Sequence, residues 1–460
     1  MLKKVSSKLW IILLYAAYHL NMMSCSIYTD SRTGWVWASY RTKLFAMILG
    51  FLSFSISRRI VKDHVLRKRF LMLINIVYSI SLIIIMLSND PGVITVLSLL
   101  AMFLVGHMGG VVYYYVSLGI YKFEHAGLVV ALATSLAYIV HYICWAVLGQ
   151  EIIMVIVMLA GFGMVSYIVI DPKSEYIYMD PLPYSDGSDV KDIKMERKHM
   201  LLLIGVAAVA LLSVDRSYQA FVDNYSDLAG EVYGLSRLTA LPASFLIGFL
   251  YDRKRRDIMS ILMLLAMIIR IWLPVDFFLE GLLIFTYQIS EVYIYLFITI
   301  SFWEAAPESG HQELWASFGR VLMIMGFLMD LLGRFMPKGN GIGGQLLDCV
   351  LFLLAIGFII MELSNRQARI LEQKIKEASA EGKEERHLIE LAEKYGLTPR
   401  EKDVVAELLS NPDLQVQALA DHLGISRTMF YRYMNKLYEK TGTLDRIQLV
   451  SKLSDQAPVS

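Results

Sequence analysis

Eight ionisable residues, Arg41, Lys43, Asp215, Arg216, Arg237, Arg270, Glu291 and Asp330, interrupt otherwise apolar runs of this 460-residue chain. A charge at membrane depth is expensive, so such residues are expected to face one another or a polar cavity. His19, His141, Gln288, Tyr287, Tyr293 and Tyr295 fall in the same runs and add hydrogen-bonding and stacking capacity for a small molecule. The ligand-binding set expected from this pattern is Arg41, His141, Asp215, Arg237, Glu291 and Tyr287. The competing expectation is structural pairing, for instance Asp215 with Arg237, that only holds helices together. A second set lies near the C-terminus, where Ser426, Arg427, Thr428, Tyr431, Arg432, Asn435 and Lys436 recur at helical spacing. Basic and amide side chains along one helix face are what phosphates and base edges require.

Other chemistries are excluded. The chain has no phosphate loop, no nucleophile elbow and no kinase signature. Cys25, Cys144 and Cys349 fall in or beside apolar runs without CxxC or Cys/His spacing, so they are expected to pack, not to bind metal. No enzymatic activity and no cofactor are expected.

Membrane helices must position the first set. The apolar fraction is 56% and the charged fraction 18%, against about 25% charged in an ordinary soluble domain. Twelve spans are expected at about 9–25, 35–56, 70–88, 92–118, 126–146, 151–170, 200–222, 231–250, 258–274, 279–302, 314–333 and 343–362. With a cytoplasmic N-terminus, the inward loops carry nineteen Lys and Arg and the outward loops three. That asymmetry predicts both termini in the cytoplasm. One pair of loops is the exception, 303–313 being acidic without Lys or Arg and 334–342 holding two of the three outward cations, Arg334 and Lys338. The first apolar run lacks a cleavage site and is expected to be retained. The polar stretch 171–199 divides the membrane region 1–362 into halves 1–170 and 200–362.

An internal repeat supports that division. Gly50-Phe51-Leu52 precedes Arg58-Arg59, and Gly248-Phe249-Leu250 precedes the run from Tyr251 to Arg256, with the two copies 198 residues apart. This pattern resembles the major facilitator superfamily, whose loops after the second and eighth spans carry G-x-L-x-D-R-x-G-R-R. The second copy keeps Gly248, Leu250, Asp252, Arg253 and Arg256, with Arg255 in place of a glycine. The first has Phe54 and Ser55 where the family has Asp-Arg, so one gate is degraded. The resemblance implies close helix approach at the glycines and a charge network that closes the cytoplasmic side.

Beyond the spans, 363–396 reads as a charged helical linker and 397–452 as four short helices, with a tail at 453–460. Thr398 and Glu401 form a capping-box pattern with Pro399 at the first helical position, and Leu423-Gly424-Ile425 makes a tight turn before Ser426. Met429, Phe430 and Leu437 are expected to face the core. The segment resembles the LuxR/GerE-type helix-turn-helix in its opening at Leu397–Glu401, its turn at Ala420, Leu423, Ile425 and Ser426, and its close at Lys440, Gly442 and Leu449-Val450. Met429, Tyr431 and Tyr433 depart from that family's recognition helix.

The expected fold is therefore all-α: a twelve-span bundle of two six-helix halves followed by a four-helix DNA-binding domain. The whole resembles membrane-embedded LuxR-type regulators of bacteria, which implies a multi-pass inner-membrane protein that senses a small ligand and binds promoter DNA. Double-stranded DNA, membrane lipid, an unknown small molecule and a second copy on DNA are the expected partners. The alternative is a transporter with a regulatory cytoplasmic tail.

Overall fold

The computed structural model of the protein describes residues 2–33, 40–61, 63–120, 125–170, 198–213, 237–272, 280–306, 311–325, 342–411 and 414–454. All regular elements among them are helical, and the chain divides into two compact units, Met1–Leu363 and Ser364–Ser460.

The first half of unit one contains α1 (Leu2–Thr33), α2 (Tyr40–Ile60), α3 (His64–Leu87), α4 (Pro91–Ile120), α5 (Ala126–Tyr142) and α6 (Glu151–Ile170). The second contains α7 (Lys198–Ser213), α8 (Ala240–Asp252), α9 (Arg256–Trp272), α10 (Glu280–Ala305), α11 (Gln312–Val321) and the start of α12 (Ile342–Tyr395). Each of the twelve expected runs thus holds a described helix, and six helices are long and apolar enough to cross a membrane. The remaining runs include stretches outside the described residues, at 214–236, 273–279 and 326–341.

Glycines set the closest helix approaches. A Cβ on Gly50 or Gly106 would run into the backbone of α4 or α2, and one on Gly127 or Gly248 into the backbone of α8 or α5. Both repeat glycines, Gly50 and Gly248, therefore do what the repeat pattern predicts, since only a missing side chain permits that spacing.

Unit two contains the end of α12, then α13 (Pro399–Ser410), α14 (Val416–His422), α15 (Arg427–Thr441) and α16 (Arg446–Ser454). Its core joins Leu391 of α12 to Val404, Val405, Leu408, Leu419, Phe430, Met434, Leu437, Leu449 and Leu453. The capping box is present, with Thr398 N–H donating to Glu401 Oε2 at 2.8 Å and Glu401 N–H to Thr398 Oγ1 at 3.4 Å. Ser426 caps α15 by accepting from Met429 N–H at 3.2 Å, and Gly424 takes the positive φ of 63° that the tight turn requires. One inward residue differs from expectation. Met429 is 41% exposed, and the buried stripe of α15 runs Phe430, Met434, Leu437 and Thr441. Those positions repeat at four and three residues, and Met429 lies one step, about 100°, off that line.

Candidate DNA-binding and ligand sites

The face of α15 opposite its core is open. Ser426, Arg427, Thr428, Tyr431, Arg432, Asn435 and Lys436 are all exposed, the last six as three adjacent pairs about one turn apart. Arg427 stacks over the Tyr431 ring at 5.6 Å, which orders the first turn of the helix. The most C-terminal cation, Lys440, has a different role. Its ammonium donates to Glu401 Oε2 at 2.6 Å and to Gly396 O at 2.7 Å, tying α15 to the cap of α13. Burial pushes the Glu401 carboxyl up, but the Lys440 hydrogen bond and those from Thr398 outweigh it and hold the group below its ordinary 4.5. The exposed cations of this face are thus Arg427, Arg432 and Lys436.

In unit one, the repeat motif builds a latch. Asp252, at the end of α8, accepts from Gly127 N–H at 2.6 Å and from Leu128 N–H at 3.0 Å. These are orphan donors at the start of α5, whose own N-cap, His125, makes no side-chain bond. A carboxylate there also meets the positive end of the helix dipole. In the first copy the residue 198 positions earlier is Phe54, which cannot accept; its ring packs against Gly110, His107 and Tyr114 instead. The matching contact between halves is made by Arg59, which pairs with Glu313 in the first turn of α11 at 3.2 Å and approaches His311 at 3.2 Å. Glu313, the last acid of the stretch that breaks the charge asymmetry, is therefore a counter-charge of Arg59.

The repeat arginines also correspond. Arg58 lies 3.7 Å over the Tyr114 ring of α4, and Arg256, 198 residues later, lies 4.5 Å over the Phe297 ring of α10 and donates to Ser301.

Behind the latch the halves meet through a guanidinium and aromatic rings. Arg320 of α11 is buried, donates from Nε to the Tyr113 hydroxyl at 2.7 Å, and lies 5.4 Å over the Tyr295 ring. No carboxylate pairs with it among the described residues. Trp303 packs edge-on against Tyr15 and Tyr113, both at 5.1 Å. The Tyr18 hydroxyl, His19 Nδ1 and Trp303 Nε1 are buried without a hydrogen-bond partner among the described residues. Sequence reasoning passed over Arg320, although it lies inside the apolar run 314–333 with no acid within a turn after it.

At the other end of α8 stands a second polar group. Arg237 donates from Nη1 to His141 Nε2 at 3.0 Å, and His141 Nδ1 lies 3.1 Å from Ser24 Oγ. A guanidinium can only donate, so the lone pair of His141 faces it on Nε2 and the ring proton sits on Nδ1, pointing at Ser24. This chain joins α1 and α5 of the first half to the turn that leads into α8 of the second. Tyr287 and Glu291 are four residues apart on α10 and so share a face. Of the expected ligand set, the structure brings His141 and Arg237 together. Arg41 lies on α2 with its side chain outside the description, and Asp215, with its proposed pairing to Arg237, lies outside the described residues.

Unit one is a helical bundle whose halves touch at Asp252–Gly127 and Arg59–Glu313, and unit two is built as a helix-turn-helix. Comparison with known proteins gives both a context. Residues 391–448 match the family model described as sugar-specific transcriptional regulator TrmB. The type matched is TrmB, and the LuxR/GerE type expected from the sequence is not shown by it. The Escherichia coli fucose:proton symporter FucP is similar in fold, with a TM-score of 0.51 and 11% identity, covering 78% of this chain and 99% of that one. The nucleoside transporter NupG aligns with a TM-score of 0.43 and 12% identity over 78% of this chain and 99% of its own. No curated protein matches the chain in sequence. The chain therefore joins a C-terminal region that matches the TrmB transcription-regulator model to a helical bundle similar in fold to FucP.

Proposed function

We propose that the protein is a membrane-embedded transcriptional regulator of twelve spans, with both termini cytoplasmic, that senses a small polyhydroxylated ligand and binds promoter DNA as a pair of chains. The observation that carries this reading is a helix-turn-helix with an open basic face on the same chain as a transporter-like bundle. Arg432 and Lys436 contact phosphates, while Arg427 and Thr428, at the start of α15, read base edges. No reaction is catalysed and no cofactor is required.

The ligand enters between the halves, bordered by Ser24, His141 and Arg237 on one side and Tyr287 and Glu291 on α10, with Arg41 and Asp215 completing the set. A sugar-like molecule suits these groups, because hydroxyls satisfy both donors and acceptors while the Tyr287 ring covers its carbon surface. The sugar-specific character of the TrmB family and the fucose carried by the symporter FucP point the same way. Binding changes how the two halves pack, and α12, helical without a break from Ile342 to Tyr395, connects the last span to the DNA-binding unit. Switching such an equilibrium from mostly off to mostly on requires about 5.5 kcal/mol of differential affinity.

The test is DNA binding by the purified full-length protein in lipid nanodiscs, titrated with a panel of monosaccharides. One sugar should change operator affinity in the wild type and not in Arg237→Ala. Unchanged affinity across the panel would remove the sugar assignment.

The transporter reading has one observation in its favour, the intact Asp252 latch. Phe54 in the matching position of the first half counts against it. Uptake of a labelled sugar by proteoliposomes, driven by a proton gradient, would establish transport and displace the pure-sensor reading.

A further inference from the structure

An apolar groove of about 450 Å³ runs between α2, α3 and α4. Its wall is formed by side chains turned away from the bundle, with Ile56 59%, Ile60 74% and Leu73 55% exposed. The three polar residues along it have turned their polar atoms inward. Ser53 bonds Gly50 O at 2.6 Å and His107 Nδ1 at 2.7 Å, and Ser57 donates to Phe54 O at 3.0 Å. What the groove presents is therefore hydrocarbon.

The groove does not end blindly. Ser57, Val61, Phe70 and His107 line both it and a smaller recess of about 70 Å³, which is bordered by Arg58, Arg67 and Lys68 and by no acid among the described residues. The recess lies where α2 ends at Ile60 and the apolar run of α3 begins at Val65, the level at which a membrane gives way to water. The cations are arranged and not merely present. Arg67 is folded back by hydrogen bonds from Nε to Val61 O at 2.5 Å and from Nη2 to Arg58 O at 3.4 Å, and Arg58 is stacked on Tyr114. The nearby carboxylate, Asp63, is committed to capping α3 through Val65 N–H and Leu66 N–H. Lys68 is exposed.

We propose that this groove and recess form a site for one anionic phospholipid. Its phosphate meets Arg58, Arg67 and Lys68, and one acyl chain lies against Ile56, Leu73 and Phe70. A zwitterionic lipid fits the groove equally but brings an ammonium into an already cationic recess. The charge of the recess therefore selects the headgroup and the groove selects a molecule with a chain. This rests on the membrane placement of unit one and is independent of whether the protein regulates or transports.

The test is native mass spectrometry of the full-length protein in detergent, after addition of phosphatidylglycerol or phosphatidylethanolamine. The wild type should retain one phosphatidylglycerol in preference to phosphatidylethanolamine. Lys68→Gln should lower that retention about fivefold and Arg67→Gln with Lys68→Gln about thirtyfold, whereas Lys254→Gln, a cation at the repeat-related loop, should leave it unchanged. Because Lys68 is exposed, loss in that variant cannot come from misfolding. Equal retention of the two lipids, or an equal effect of Lys254→Gln, would overturn the site. Failure of sugar-dependent DNA binding would leave this result untouched.

Discussion

Asp252 accepts hydrogen bonds from the Gly127 and Leu128 amides at 2.6 and 3.0 Å, so a side chain of the second half caps a helix of the first. Gly127 and Gly248 lie beneath it, close enough that neither tolerates a Cβ. Gly127→Ala should therefore force α5 and α8 apart and lower the stability of the detergent-solubilised protein by about 1–3 kcal/mol. Asp252→Asn keeps the shape but loses the charge at the helix terminus, and should cost about 0.5–1 kcal/mol. A thermal-unfolding series reads both. Equal melting of Gly127→Ala and wild type would show that the contact is not close.

Phe54 occupies the position that corresponds to Asp252, yet restoring the acid there should not restore a latch. Its ring fills space against Gly110, His107 and Tyr114. Phe54→Asp places a charge in that apolar packing and should destabilise the protein by about 3–5 kcal/mol. Normal expression and melting of this variant would mean that the first-half motif still has room for its acid.

Arg320 offers a sharper distinction between structure and function. Its guanidinium is buried with hydroxyl and ring partners but no carboxylate among the described residues. Replacing Arg320 by an apolar residue of similar length relieves the desolvation cost of a buried charge and leaves only the Tyr113 hydroxyl without its donor. Arg320→Met should therefore retain or raise thermal stability while abolishing the sugar-dependent change in DNA affinity. If the response survives, Arg320 is not part of the switching contact.

The cap of the DNA-binding unit predicts a pH dependence. The Glu401 carboxyl is held below its ordinary 4.5 in the folded state, through hydrogen bonds from Lys440 and Thr398 that outweigh the burial of the group. A depressed folded pKa contributes stability that is present above the unfolded value and is lost as pH falls through the folded one. Protection of the α13 amides, with the intrinsic pH dependence of exchange divided out, should accordingly be steady above pH 4.5 and fall below it. Glu401→Gln, which weakens the contact with a partly exposed lysine, should raise exchange by about 1–2 kcal/mol at neutral pH and flatten the acid limb.

On the DNA side, Arg427→Ala and Thr428→Ala should relax base preference at one or two positions, each by about 1–3 kcal/mol. Lys436→Ala should instead weaken binding to all sequences and reduce the slope of affinity against salt by about one. A selection experiment with randomised operators separates these outcomes. A uniform loss from Arg427→Ala would assign that residue to phosphate.

Much of the C-terminal unit was legible in the sequence because its determinants are local. Thr398, Glu401, Gly424 and Ser426 act on backbone groups within a few residues, so type and spacing suffice to place them. Met429 was misassigned because a single helical step separates inward from outward positions, and adjacent Phe430 takes the inward one. Arg320 and the Arg59–Glu313 pair were not legible for a different reason. Their meaning depends on which helices meet, residues 254 apart in the case of Arg59 and Glu313, and no periodicity along one helix carries that information. The repeat was visible because Gly50 and Gly248 are both obligatory at close approaches, yet the sequence could not say that Arg59 takes over at the degraded end.

The central claim is that a membrane-anchored chain occupies promoter DNA through α15. Chromatin immunoprecipitation of the tagged full-length protein from intact cells, beside the Arg432→Ala Lys436→Ala double variant, tests it most directly. The account predicts sharp enrichment at one or a few promoters that is lost in the double variant at unchanged membrane abundance. Enrichment that persists in the double variant, or none in the wild type under any carbon source, would contradict it.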